Sequence, residues 1–132
     1  MTAEDVVASA RRCIGVRFRP QGRDPRTGLD CVGVAAVSIN KALPPARYSM
    51  REREWRISAS MAAELGLREI FPGDVRAGDM MLVDVGPGQV HTVVMTPTGF
   101  VHADARLRKV VETPGRPKWP VLAAWRACSD EG

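Results

Sequence analysis

The stretch Gly28-Leu29-Asp30-Cys31-Val32-Gly33-Val34-Ala35-Ala36-Val37 sets the plan of this chain. A polar segment punctuated by Gly and Pro stops there, and a run that is apolar on nearly every face begins. Such a run, from Val32 to Leu43 and halted by Pro44-Pro45, predicts a helix buried in the interior with its N-terminus open to a cleft. Asp30 is placed as its N-cap, because a short carboxylate accepts from the unpaired N–H groups of a first turn. Cys31 falls in that turn, where the positive end of the helix dipole favours thiolate over thiol.

With 132 residues the chain is long enough for one domain with its own core, spanning 1–132. It has no apolar stretch near the ~20 residues that span a bilayer. The opening Met1-Thr2-Ala3-Glu4-Asp5 carries acid where a secretory signal needs basic residues, so export by the general route is not expected. The net charge of +4 comes from arginines dispersed among Asp and Glu, which describes a solvated surface. No aromatic platform or groove-reading motif accompanies them, so nucleic acid is not an expected partner. The three cysteines, Cys13, Cys31 and Cys128, are odd in number and widely spaced, which argues against a disulfide framework. With only His91 and His102 besides, and no HExxH or CxxC, neither a metal site nor a cofactor is expected.

Taken in order, Thr2 with Asp5 reads as a capping box. The first helix it opens carries Val6, Val7, Ala10, Cys13 and Ile14 at helical spacing and stops at Gly15, with Cys13 as an inert core thiol. Val16 to Thr27 is a loop carrying Arg17, Arg19, Arg23 and Arg26, and it leads straight to Cys31 as one wall of the cleft. After the central helix, Ser49 with Glu52 opens a third helix through Trp55, closed by Gly66. Pro72-Gly73 and Ala77-Gly78-Asp79 are turns. From Met80 the pattern changes to short Val-rich runs between turn residues, which predict antiparallel strands. They cover 80–85, 90–95, 100–104, 109–112 and 121–125, and the last residues, 129–132, fray. The class is therefore α+β, with N-terminal helices packed on an antiparallel sheet.

Both histidines fall on one expected hairpin. A turn at Thr96-Pro97-Thr98-Gly99 sets Met95 opposite Phe100, Val93 opposite His102 and His91 opposite Asp104. Because side chains alternate along a strand, His91 and His102 then share a face as diagonal neighbours roughly 7–8 Å apart. One imidazole can hold the other through a ring nitrogen and fix its tautomer. A slip of one residue would separate them.

Four segments together resemble an NlpC-type cell-wall cysteine peptidase: Gly15-Val16-Arg17-Phe18, Gly28 to Gly33, Arg76 to Val83, and the pair His91-Thr92-Val93-Val94-Met95 and Phe100-Val101-His102-Ala103. The resemblance covers most of the chain, in the family's order and spacing. It implies a papain-like single domain with the nucleophile at the N-terminus of the central helix. It assigns Cys31 as nucleophile, His91 as general base and His102 as the orienting residue, with the Cys31 N–H in the oxyanion hole beside Asp30. It implies hydrolysis of an amide in a peptidoglycan stem peptide, between γ-D-glutamate and the diamino acid, through a thioester. The short, signal-less forms of phage tails and gene transfer agents are nearest in kind. They imply synthesis in the cytoplasm, delivery to the wall in a phage-like particle, and tail proteins as partners.

Three positions depart from the family pattern. Phe18 stands where a tyrosine is usual, Val32 where a serine follows the cysteine, and Gln21 where the loop has a second glycine. Phe18 keeps open a non-catalytic binding module of a tail-like assembly. A related amidase or acyltransferase, which would use the same three residues, also stays open.

Overall fold

The structure, a computed structural model, describes residues 2–41, 66–86 and 89–127. The first helix, α1 (Ala3–Arg12), starts with the expected capping box. The Thr2 hydroxyl accepts the Asp5 N–H at 3.1 Å, and the Asp5 carboxylate accepts the Thr2 N–H at 2.9 Å. Its buried side carries Val6 and Ala10 and continues to Cys13, whose thiol donates to the Ser9 carbonyl in the core. Beyond it the chain runs beside residues 108–110, with Phe18 N–H bonded to the Arg108 carbonyl at 2.9 Å.

The loop from Val16 to Thr27 contains more order than its composition suggests. A two-residue ribbon, β1 (Arg23–Asp24) with β2 (Gly28–Leu29), closes it and delivers the chain to α2 (Cys31–Ser38). This helix is buried on every side except at Val37, as an all-round apolar run demands. It ends earlier than the prolines at 44 and 45 suggest. Asn40 turns left-handed at φ 55°, the Asn40 N–H bonds the Val37 carbonyl, and the Lys41 N–H reaches back to the Ala36 carbonyl. Those paired bonds are a Schellman stop, for which asparagine substitutes for the usual glycine. Leu43, the third helix with Trp55, the turn centre at Pro87-Gly88, Cys128 and the expected fraying of 129–132 lie outside the described residues.

The sheet has six antiparallel strands: β3 (Leu67–Ile70), β4 (Met80–Gly86), β5 (Gln89–Met95), β6 (Gly99–Asp104), β7 (Lys109–Pro114) and β8 (Val121–Ala127). Their order is β3-β8-β4-β5-β6-β7. The five strands expected from the Val-rich runs are present, each a residue or two longer. β3 was not expected, since Leu67-Arg68-Glu69-Ile70 shows no β pattern; it forms by pairing with β8. A short 3₁₀ turn (Pro72–Asp74) follows it.

Both faces of the sheet are covered, which explains why its strands are apolar almost throughout. On one face Val94, Val101, Ala103 and Val110 pack with Val34 and Ala35 of α2, with Ile39 just beyond it, and with α1. On the other, Val83, Val93, Met95 and Phe100 pack with Val75 and Trp119. Each valine, isoleucine, methionine or phenylalanine among them that is fully removed from water contributes about 1.5–3 kcal/mol. The turn before β4 is tied to β8 by Asp79, which accepts the Arg76 N–H at 2.8 Å and two bonds from the Arg126 guanidinium at 2.9 and 2.8 Å.

Candidate active site

Asp30 knots the loop to the helix. Its Oδ1 accepts the Gly33 N–H at 2.8 Å, the N-cap bond, and also the Arg23 guanidinium at 3.0 Å. Its Oδ2 accepts the Gln21 N–H at 2.9 Å. Gln21 holds φ at 57°, a left-handed backbone that accounts for the glycine usual there. Close contact also requires Gly33: a Cβ at this position would overlap the Gly22 carbonyl.

Cys31 is thereby fixed at the start of α2, but it is not open to solvent, with only 5% of its surface exposed. Burial pushes its thiol up to about 12, and the neighbouring Asp30 charge pushes the same way. Hydrogen bonds to the sulfur from the Thr92 N–H and hydroxyl and from the Val32 N–H offset part of this. The expectation that the helix dipole leaves a thiolate at rest is therefore corrected. A dipole at a helix end is worth up to ~2 kcal/mol, and desolvation of a buried charge costs more.

The pairing of β5 with β6 stops after Met95↔Phe100 and Val94↔Val101. The first of these is the expected register; the backbone pairs expected at Val93–His102 and His91–Asp104 do not form. His91 and His102 nevertheless share a face, as alternation requires. His91 Nε2 meets His102 Nδ1 at 3.0 Å, with the rings nearly perpendicular at 78°. On its far side, His102 Nε2 lies 3.0 Å from the Thr113 hydroxyl of β7.

The histidines sit beneath an aromatic cover. Trp119 stands edge-on to His91 and His102 with centroids 6.2 and 6.1 Å away, and Phe100 lies 4.8 Å from His102. Burial lowers His91 to about 4, helped by His102 and opposed by the Asp104 carboxylate. Burial lowers His102 as well, again against Asp104. Both rings are neutral near pH 7.

A cleft of about 540 Å³ is lined by Phe18, Asp30, Cys31, His91, His102 and Trp119. Cys31, His91, His102, Asp30 and Phe18 thus border one space, and Pro20 and Gln21 bring the loop to its wall, whereas Arg17, Arg19, Arg23 and Arg26 do not line it. Phe18 contributes a ring and no hydroxyl. Thr92, Thr113 and Trp119 were not singled out. Trp119 had a weak signal, a lone aromatic between Pro117 and Pro120, whereas neither threonine stands out in the sequence. No group of three His, Cys, Asp or Glu side chains able to hold a metal ion occurs among the described residues.

A cysteine leading a buried helix, sharing a cleft with histidines of a neighbouring antiparallel sheet, fits a papain-like α+β domain. Comparison with solved structures narrows it to the NlpC/p60 form of that fold. The NlpC/p60 domain of the peptidoglycan hydrolase SagA superposes with a TM-score of 0.60 at 20% identity, over 86% of this chain and 90% of that one. The P60 domain of antigen MAP1204 from M. avium subspecies paratuberculosis gives 0.59 at 18%, over 95% and 93%. NlpC1 from Trichomonas vaginalis gives 0.64 at 16%, over 95% of this chain but 43% of its own length. The sequence matches no family model and no curated protein.

Proposed function

We propose that this protein is a cysteine peptidase that cleaves an amide in peptidoglycan stem peptides, at the γ-D-glutamyl to diamino acid bond. The observation that carries the reading is the hydrogen-bonded pair His91–His102 bordering the same cleft as Cys31. The description of SagA as a peptidoglycan hydrolase, on the same fold, supplies the substrate class.

Burial disfavours both thiolate and imidazolium, so the resting site holds a thiol and a neutral imidazole. With His91 Nε2–H donating to His102, Nδ1 is left as the basic nitrogen. Nδ1 takes the Cys31 proton as the sulfur bonds to the substrate carbonyl carbon, whose oxygen becomes an oxyanion. The Cys31 N–H, at the start of α2 where no intrahelical acceptor is available, is the donor assigned to it. Collapse breaks the C–N bond, and His91 gives its proton to the departing amine. Water, deprotonated by His91, then attacks the thioester carbonyl; the carboxylic acid leaves and the sulfur regains a proton.

Cys31→Ala and His91→Ala are each expected to abolish release of peptide fragments from purified murein. Wild-type turnover in either would overturn the mechanism. A non-catalytic module is the second reading, favoured by Phe18 in place of a hydroxyl-bearing ring. It requires that the unaltered protein bind murein without releasing fragments.

A further inference from the structure

We infer that Thr113 is a positioning residue whose hydroxyl oxygen receives the outer N–H of His102 and so favours the protonated state of His91 that amide cleavage passes through. This rests on the reading of His91 as the general base.

A base at His91 must cycle between one ring N–H and two. As an imidazolium it carries hydrogen on both nitrogens, so Nε2 can only donate across the 3.0 Å contact to His102. His102 must then offer a bare Nδ1, which puts its single proton on Nε2. That N–H faces the Thr113 oxygen at 3.0 Å. His102 is only 4% exposed and lies against the rings of Phe100 and Trp119, so bulk solvent does not replace a lost partner. Without the oxygen, a buried donor would be unpaired in the state that the reaction has to form.

The neutral state is less demanding. A hydroxyl both donates and accepts, so Thr113 can serve either direction of the chain. A valine of the same shape serves neither. Deprived of the oxygen, the pair is expected to reverse, with His102 Nδ1–H donating to His91 Nε2 and the proton of His91 moved to Nδ1. His91 then has no basic nitrogen outside its contact with His102. Thr113 is held for this task by backbone pairing with Phe100, two residues before His102 on β6.

The test compares Thr113→Val and Thr113→Ser with the unaltered full chain by ¹⁵N NMR of the imidazoles across a pH titration. The unaltered protein and the serine variant are expected to carry hydrogen on Nε2 of both rings. The valine variant is expected to shift it to Nδ1 and to move the His91 titration to lower pH. On murein stem peptide, Thr113→Val is expected to lower kcat about tenfold with KM unchanged, and serine to restore it. A folded Thr113→Val with the original tautomers and the original His91 midpoint would overturn the inference. If that variant does not fold, Thr113→Ala removes the same oxygen and is read by the same criteria. The NMR measurement needs no substrate, so failure of the peptidase reading would show separately, in murein cleavage by Cys31→Ala.

Discussion

His91 Nε2 lies 3.0 Å from His102 Nδ1, and this contact joins β5 to β6 just beyond the last backbone pair between them, Val94↔Val101. A side-chain bond holds the strands together where main-chain pairing has ended. It also decides which nitrogen of His91 is available for chemistry, because the one facing His102 is already used. The tautomers of the two residues are thus coupled across the strands.

Acid should weaken the fold through His91. Its ordinary value of 6.5 falls to about 4 in the folded protein. Between these, the unfolded chain binds a proton that the folded one does not, so stability rises with pH. The contribution is complete above pH 6.5 and is lost as pH falls toward 4. Tm is expected to drop across that window, and less steeply in His91→Gln. An equal slope in both would show that the buried ring is not responsible.

Cys31 should be a slow nucleophile when no substrate is bound. With its thiol pushed up to about 12, alkylation by iodoacetamide is expected to climb through the alkaline range without an inflection near neutrality. Asp30→Asn keeps a capping oxygen while removing the charge that raises the thiol, so its Cys31 should react faster at pH 8. Mass-spectrometric rates decide this, and an inflection between pH 6 and 7 in the unaltered protein would reveal a thiolate at rest.

Gly33→Ala should destabilise. In an exposed helix interior that change gains about 1 kcal/mol. Here the added methyl would meet the Gly22 carbonyl, and the knot of Gly22, Arg23 and Asp30 would have to shift. A loss of about 1–3 kcal/mol in urea unfolding is expected from overpacking. A stabilised variant would mean that the loop yields without cost.

Asp79→Ala removes the acceptor of the Arg126 fork and the cap of the Arg76 N–H at once. Asp79 is buried while Arg126 remains partly exposed, so solvent recovers some of the loss. Unfolding is expected to become easier by about 2 kcal/mol. Asp79→Asn should recover part of this, because its oxygen can still accept from Arg76.

Much of the arrangement was readable from short-range pattern. Thr2 and Asp5 announce the first helix, Asp30 caps the second, and the change from helical spacing to Val-rich runs at Met80 marks the start of the sheet. Asn40, whose left-handed turn stops α2, is a weaker local signal than Pro44-Pro45. By contrast, Leu67 to Ile70 becomes a strand only because β8 offers it an edge. The 102–113 contact depends on how β6 pairs with β7, and Trp119 is brought over the histidines by a segment with no regular structure.

By itself the sequence determined what is local and periodic: caps, turns, the apolar central helix, and the shared face of His91 and His102, which follows from a two-residue alternation once the 96–99 turn fixes the register. Only the tertiary structure decided the charge state of the cleft. Solvation is a property of everything packed around a group, so the burial that holds Cys31 as a thiol and His91 as a neutral imidazole outweighs a helix dipole that could be read from the order of residues alone.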